Sequence, residues 1–199
     1  MTKYSKPLVL AILFLGSLTP VLSQTAGPET TEIDATLLAK ANGGDAAAQV
    51  QIGDSSCAAG NKATQDPQQL AECYKVAASW YRKAAEQGSL AGQLRLAELY
   101  RDGRGVSRDM AHAAEWYRKA ADQGDAGAQG TLAVLYSMGQ GIAQSYSDAY
   151  YWFDLAAKVK GPNQEKYAAY RQMSGAHITA DELADVQERE AKWLAAHPR

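Results

Sequence analysis

The residue types that could carry chemistry are few and scattered in this sequence. The three histidines are His112, His177 and His197. They show neither the His-Glu-x-x-His spacing nor a combined Cys/His set of the kind that binds zinc. Glu98 and Asp102 lie four residues apart on a helical pattern, but Arg95 and Arg101 adjoin them, which favours a solvated charged face over an acid pair. We therefore predict no catalytic residue and no metal ligand.

Two glycine-rich stretches, GRG at 103–105 and GQG at 139–141, resemble parts of a phosphate-binding loop. The lysine of that loop and a preceding strand pattern are missing, so the turn interpretation is favoured. No G-x-S-x-G motif stands near a plausible triad. The sequence thus gives no support to an enzymatic function, and we expect no cofactor.

The first 23 residues have the pattern of a secretory signal peptide. Lys3 and Lys6 precede an apolar run over 8–18, and the small residues Val21 and Ser23 precede a cut before Gln24. The run is about half the roughly 20 residues that a membrane-spanning helix needs. An uncleaved anchor is the alternative. We expect a cleaved signal, a periplasmic or secreted protein, and no stable membrane insertion after cleavage.

Net charge argues against one class of partner. Removal of residues 1–23 leaves 18 basic and 22 acidic residues, because Lys3 and Lys6 are lost and no acid is. Nucleic-acid binding depends on Lys and Arg clusters that neutralise phosphates, and this chain has no basic run. We expect no nucleic-acid partner.

The two cysteines, Cys57 and Cys73, form an even pair in a chain with a signal peptide. In an oxidising compartment such a pair is expected to form a disulfide, worth about 3 kcal/mol in the chain-entropy model for a loop of this size. The spacing is not C-x-x-C, which gives a thioredoxin-like function no support. A redox pair and two free thiols are the alternatives.

A nine-residue stretch occurs twice: WYRKAAEQG at 80–88 and WYRKAADQG at 116–124. A fixed period of 36 residues is typical of stacked repeats, and residues 125–160 continue it with Trp152 in the place of Trp80 and Trp116. Each unit reads as two amphipathic helices separated by a glycine turn. Neither helix can bury its apolar stripe alone, so stacking of the units must bury it, and the three tryptophans are predicted to be core residues.

The pattern A-x-A-Q…L-A…L-Y…G-x-G…A…W-Y-x-K-A-A-x-Q-G over residues 45–160 resembles the Sel-one-like repeat (SLR), a relative of the tetratricopeptide repeat. The match is specific in the second unit. It weakens in the third, where WFDLAAKVKGP replaces WYRKAAEQG, and in the first, where Ser56 stands at the tyrosine position. The resemblance implies an all-α, α/α superhelical solenoid that binds other proteins, and it does not imply catalysis.

The chain is divided on this basis as follows: a signal peptide (1–23), a flexible leader (24–30), an N-terminal capping helix (31–44), repeat 1 with an insertion (45–88), repeat 2 (89–124), repeat 3 (125–160) and C-terminal capping helices (161–199). Solenoid ends need such atypical elements for solubility. Thr179 and Glu182 fit a capping box that starts the last helix. We expect a monomer.

Candidate binding residues come from the first helix of each unit, which in helical-pair solenoids usually lines the concave surface. Aligned non-core positions give the first set: Gln51, Asp54, Arg95, Glu98, Thr131 and Val134. A second set consists of tyrosines that the repeat does not require: Tyr146, Tyr150 and Tyr151. Tyrosine suits interface hot spots. The alternatives are that the first set is merely solvated and that the tyrosines pack against the C-terminal cap.

Two functions of different classes remain. The first is an exported protein-interaction scaffold of the cell envelope that binds a protein or peptide of unknown identity. The second is a hydrolase or carbohydrate-binding protein acting on wall polymer. A buried acidic pair in a cleft beside Trp or Tyr would favour the second function, and a groove with exposed tyrosine and mixed charge would favour the first.

Overall fold

A computed structural model of the protein describes residues 34–63 and 66–198, which form nine α-helices. The predicted signal peptide, the leader and residues 31–33 lie outside the described residues. The helices are α1 (Ala35–Asn42), α2 (Ala46–Ala63), α3 (Pro67–Glu86), α4 (Leu90–Asp102), α5 (Met110–Asp122), α6 (Ala126–Met138), α7 (Tyr146–Ala157), α8 (Gln164–Gly175) and α9 (Ala180–Ala196). Within these ranges, no helix has both the length and the apolar character needed to cross a bilayer.

From α1 to α8, helices adjacent in sequence pack against each other, and α9 returns to pack on α7. The pairs α2–α3, α4–α5 and α6–α7 are the three units, with α1 before them and α8 and α9 after them. This arrangement confirms the predicted all-α solenoid.

Side-chain caps fix where the helices begin. Ser89, Asp125 and Ser145 each accept a hydrogen bond from a backbone N–H in the first turn of the helix that follows. At α9, the side chain of Thr179 accepts from the Glu182 N–H while the Glu182 carboxylate accepts from the Thr179 N–H. This is the capping box that the sequence predicts.

The glycine turn of each later unit contacts the backbone of the preceding unit. Gly105 and Gly141 have φ angles of 67° and 72°, a conformation that L-residues with a side chain rarely adopt. A Cβ at Gly105 would lie 2.3 Å from the Tyr74 carbonyl carbon in α3, and one at Gly141 would lie 2.2 Å from that of Met110 in α5. The stacking distance between units is therefore set by contact of main chain with main chain.

A repeated glutamine contact also joins successive helices. Gln49, Gln93 and Gln129 are buried at the start of α2, α4 and α6, and each donates to the carbonyl eight residues before it, at 3.0, 3.4 and 3.1 Å. Gln87 donates to Gln49 Oε1 at 2.8 Å, and Gln123 donates to Gln93 Oε1 at 2.7 Å. These bonds satisfy amide groups that would otherwise be buried without partners.

The core differs from the sequence prediction at two of the three tryptophans. Trp152 is buried, but Trp80 and Trp116 are only partly buried. Their faces are covered by the ammonium groups of Lys83 and Lys119, at 4.1 and 3.8 Å from the ring centroids. The residue that follows each of the three tryptophans is a buried aromatic: Tyr81, Tyr117 and Phe153.

Candidate binding groove

A groove of about 470 Å³ crosses the first helices of all three units. We call it the central groove. It is lined by Val50, Asp54, Ala91, Leu94, Arg95, Glu98, Arg101, Tyr117, Asp125, Gly127, Ala128, Thr131 and Tyr167. The alignment of the repeats explains this composition, because α2, α4 and α6 present the same outer face at successive levels of the stack.

Four of the six residues predicted from the first helices meet in the central groove: Asp54, Arg95, Glu98 and Thr131. Val134 lines the two neighbouring cavities instead. Gln51 is exposed but does not line the groove. The role of these residues in binding stays a prediction.

Charged side chains in the central groove are paired with one another. Arg95 Nε lies 3.0 Å from Asp54 Oδ1, and Arg95 Nη1 donates to Glu98 Oε2 at 3.4 Å. The Tyr81 hydroxyl donates to Asp54 Oδ1 at 2.7 Å, and burial, followed by this hydrogen bond, raises the pKa of Tyr81. All three charged side chains are nearly half exposed, and such surface pairs contribute only about 0–1 kcal/mol each. A partner could therefore replace these pairings at little cost.

Arg101 stands at the edge of the central groove and connects it with the next cavity. Its Nη1 donates to the Tyr117 hydroxyl at 3.0 Å, and its Nε donates to Asp102 Oδ1 at 2.8 Å. Burial raises the pKa of Tyr117 to about 12. The tyrosine thus remains protonated and holds the guanidinium in place from below.

The adjoining cavity, of about 590 Å³, contains three arginines around the turn after α4: Arg101, Arg104 and Arg108, which we call the arginine patch. Sequence reasoning did not select Arg104 or Arg108. A signal was present, because RDGRGVSR in the second unit corresponds to SMGQGIAQ in the third, with Ser137, Gln140 and Gln144 at the arginine positions. Arg108 and Gln144 make the same side-chain bond to a backbone carbonyl, of Arg101 and Ser137, so the turn keeps this bond while its charge varies.

A further cavity of about 360 Å³ lies where α6, α7 and α8 meet. We call it the apolar end; its lining is Val134, Ser137, Met138, Tyr146, Phe153, Tyr170, Met173, Ser174 and His177. The Tyr146 and His177 rings stack there with centroids 4.4 Å apart. Of the predicted tyrosines, Tyr146 lines this cavity, while Met138, Met173 and His177 were not predicted.

The prediction that Tyr151 is a free binding residue is wrong. Its side chain is buried, the Trp152 ring packs edge-on against it at 4.8 Å, and the Arg189 guanidinium of α9 lies over its face at 4.7 Å. Tyr150 is partly buried and packs near Gly175 of α8. Both tyrosines serve the packing of the C-terminal cap, the alternative stated for them.

The predicted disulfide is not formed in the structure, where Cys57 and Cys73 are free. Cys57 Sγ instead lies 3.9 Å from the Tyr81 hydroxyl, and Cys73 is buried in α3. Burial, the largest influence, raises the pKa of the Cys57 thiol. A raised pKa lowers the thiolate fraction, so the thiol is not activated as a nucleophile.

A buried acidic pair does occur, but outside the central groove. Asp154 of α7 and Glu190 of α9 share Lys158, whose Nζ lies 2.6 and 2.5 Å from their carboxylate oxygens, and Asp154 also contacts Arg171 Nη1 at 2.5 Å. Burial and the neighbouring Asp154 raise the pKa of Glu190. Burial opposes ionisation of Asp154, but hydrogen bonds from Glu190, Lys158 and Arg171 outweigh it and lower its pKa. The pair is a packing element between helices.

Within residues 34–63 and 66–198, no group of three or more His, Cys, Asp or Glu side chains is placed to hold a metal ion. Asp54 and Glu98 of the central groove both pair with Arg95, and these three side chains are nearly half exposed. This arrangement can recognise polar and charged groups of a ligand.

The sequence model of the Sel1 repeat matches residues 46–89, 90–125 and 127–158. No curated protein was found to match the chain. Among solved structures, a Sel1 repeat protein from Oxalobacter formigenes is 30% identical, with a TM-score of 0.56, over 66% of this chain and 92% of that one.

A protective antigen present in uropathogenic Escherichia coli strains, which displays an SLR fold, is also similar. It is 24% identical with a TM-score of 0.55, and the match covers 80% of this chain. The chain spans 40% of the length of that antigen. This second likeness concerns the fold alone.

Proposed function

The chain belongs to the Sel1 repeat family, and we propose that it is an exported scaffold of the cell envelope that binds a protein or peptide along the central groove. Sel1 repeat proteins are generally protein-interaction scaffolds. The envelope location, the partner and the monomeric state are parts of the proposal.

The central groove is the observation that carries this proposal. Its lining comes from α2, α4 and α6, so one ligand could contact all three units at once. The core positions repeat from unit to unit, whereas aligned groove positions change, from Asp54 to Glu98 and from Arg95 to Thr131. Variable side chains on a rigid repeated frame are suited to the recognition of one particular partner.

Binding is favoured over catalysis by the state of the groove's charged groups. Asp54 and Glu98 are nearly half exposed and both pair with Arg95. General acid–base catalysis usually requires a carboxyl that burial or a like charge has shifted toward neutral pH. In the acidic pair of the cap, the pKa of Asp154 is lowered and that of Glu190 is raised, and both carboxylates contact Lys158 in the packing of α7 against α9. The Sel1 repeat fold is typically a non-enzymatic scaffold.

Export is proposed from residues 1–23 and can be tested by mass. Intact-mass analysis of protein recovered from a periplasmic extract should give a chain that begins at Gln24. A chain that retains residue 1 and stays in the cytosolic fraction would contradict the proposal.

Site-specific photocrosslinking in cells tests the central groove directly. A photoreactive amino acid placed at Arg95 or Thr131 should give protein adducts that mass spectrometry can identify. The same group at Glu115, an exposed position of α5 that does not line the groove, is the matched control. Equal adducts at Glu115 and Arg95, or none at either groove position, would contradict the assignment.

Alanine variants measure what each groove side chain contributes. Arg95→Ala and Glu98→Ala should leave the free energy of unfolding within about 0.5 kcal/mol, as surface changes usually do. At least one of them should weaken binding of the crosslinked partner tenfold or more, about 1.4 kcal/mol. Parental affinity in both variants would show that the partner binds elsewhere.

A further inference from the structure

The apolar end leaves two large apolar side chains in water. Met138 is 59% exposed and Met173 is 65% exposed, and both line this one cavity. They are the large apolar side chains that the described part of the chain leaves exposed. The buried Phe153 and the stacked Tyr146 and His177 complete the cavity. Methionine is flexible and polarizable, so such a surface adapts to an inserted apolar side chain.

The arginine patch carries more positive than negative charge. Asp102 pairs with Arg101 at 2.8 Å and with Arg104 at 3.7 Å. Arg108 donates from Nε to the backbone carbonyl of Arg101 at 3.1 Å, and no ion pair of Arg108 is found among the described residues. Three guanidinium groups therefore face one carboxylate. The planar guanidinium group of arginine matches the geometry of a carboxylate. An acidic side chain is therefore the ligand group complementary to the arginine patch.

Helix α6 joins these cavities into one path. Thr131 lines both the central groove and the arginine-patch cavity, and Val134, about one turn further on, lines both the arginine-patch cavity and the apolar end. A ligand in the central groove can therefore extend into the arginine-patch cavity and from there into the apolar end.

We propose that the partner of this protein is an extended peptide segment that places an acidic side chain on the arginine patch and a large apolar side chain in the apolar end. This inference rests on the proposed function and specifies its partner. Thr131 lines the arginine-patch cavity and Met138 lines the apolar end. The two residues lie seven positions apart on α6, about 10 Å along the helix axis. An extended chain covers that distance in about three residues. The acidic and apolar residues of the partner are thus two to four residues apart.

Selection from a library of displayed random dodecapeptides, with the purified protein as bait, tests this chemistry. The enriched peptides should contain Asp or Glu two to four residues from Leu, Met, Phe or Trp. Enrichment of peptides without an acidic residue, or of basic peptides, would overturn the proposal.

Variants of the protein then test each contact with one enriched peptide by fluorescence anisotropy. Met138→Gln/Met173→Gln and Arg104→Gln/Arg108→Gln should each weaken binding tenfold or more. Lys160→Gln removes the same type of charge at an exposed position outside these cavities and should stay within twofold of the parent. Exchange of the peptide's acidic residue for its amide should abolish the effect of the arginine substitutions. Helical circular dichroism and thermal melting of each variant establish that it is folded.

The possible failures of the two proposals can be told apart. If enriched peptides lose affinity in Arg95→Ala but bind both glutamine double variants like the parent, the groove function stands and this inference is wrong. If no peptide is enriched and no crosslink forms at Arg95, the proposed function itself fails. If sedimentation shows a dimer that Met138→Gln/Met173→Gln dissociates, a second copy occupies the apolar end and the peptide proposal is overturned.

Discussion

The joint between the second and third units and the joint between the third unit and its cap use equivalent positions for different contacts. In the first joint, Arg118 of α5 donates to the Tyr136 hydroxyl of α6, as Arg82 donates to Tyr100 one unit earlier. At the equivalent place in α7 stands Asp154, which contacts Arg171 of α8. The sign of the charge is reversed, and the partner changes from a tyrosine to an arginine.

The outer faces of the two joints differ in the same way. In α5, Lys119 covers a partly exposed Trp116, whereas in α7 the equivalent Leu155 is buried beside a buried Trp152. We attribute the burial of Leu155 and Trp152 to α9, because this additional helix packs on α7. The comparison teaches that residues shared by the units build the stack, while departures from the repeat mark where another element covers it.

The largest effect is expected from Gly141→Ala in the regular joint. A Cβ would lie 2.2 Å from the Met110 carbonyl group, and φ is 72°. Overpacking and backbone strain together should cost about 3–5 kcal/mol, measured by urea unfolding. Gly88→Ala, where φ is 86° but no atom is near, isolates the backbone strain, and Gly161→Ala tests neither effect. A Gly141→Ala variant no less stable than Gly88→Ala would show that the contact does not set the stacking.

Alanine substitution of Trp152 and of the equivalent Trp116 should cost different amounts of stability, because α9 packs on the helix of Trp152. Trp152→Ala removes a buried ring and should cost about 3–5 kcal/mol. Trp116→Ala removes a partly exposed ring under Lys119 and should cost about half as much. Chemical unfolding of both variants measures the difference. Equal losses would mean that α9 adds nothing to the environment of Trp152.

The glutamine contacts can be tested by two opposite substitutions, one that adds the missing glutamine and one that removes a glutamine from another unit. Gln129 Oε1 is buried without a hydrogen-bond partner among the described residues, because Val159 stands where Gln87 and Gln123 provide the donor in the other units. Val159→Gln should stabilise the protein by about 1 kcal/mol, and Gln123→Val should destabilise it by about as much. Thermal melting measures both. Destabilisation by Val159→Gln would show that packing of the valine outweighs the missing bond.

The smallest effect concerns the pH dependence of the cap. The pKa of Glu190 is raised by burial and by Asp154, so Glu190 binds its proton more tightly in the folded chain. Its contribution to stability is complete below the ordinary pKa of a glutamate and is lost as pH rises through the raised value. Asp154 has the opposite sign, since its lowered pKa gives stability that is lost as pH falls.

Glu190→Gln should therefore remove the loss of stability on the alkaline side of the ordinary carboxyl range, with an effect of about 1 kcal/mol or less. Melting temperatures from pH 4 to pH 8 measure it. Glu115→Gln, at an exposed position of α5, is the control and should keep the parental profile. A profile of Glu190→Gln that matches the parent would exclude this role of the carboxyl.

The period of 36 residues was sufficient to predict the helix pairs, the glycine turns and four of the residues in the central groove. It could not show which outer faces are covered, because Trp152 occupies the same repeat position as Trp80 and Trp116, and α9, which packs on α7, lies outside the repeat. The burial of Tyr151 depends on Arg189, almost 40 residues away in sequence, and is a tertiary contact without a local pattern. The contact of Cys57 with the Tyr81 hydroxyl, 24 residues away in sequence, is likewise a tertiary contact without a local pattern.

Asp154 also determines how the array can lengthen by duplication of its units. A copy of the second unit inserted next to itself would bring Arg118 against a tyrosine like Tyr136 and reproduce a joint that already exists. A copy of the third unit would separate the first Asp154 from Arg171 and Glu190 and leave Lys158 as the one remaining of its three partners. Removing partners from a buried charge costs several kcal/mol. Growth of this protein in evolution is thus compatible with duplication in the interior of the stack and opposed at its C-terminal end.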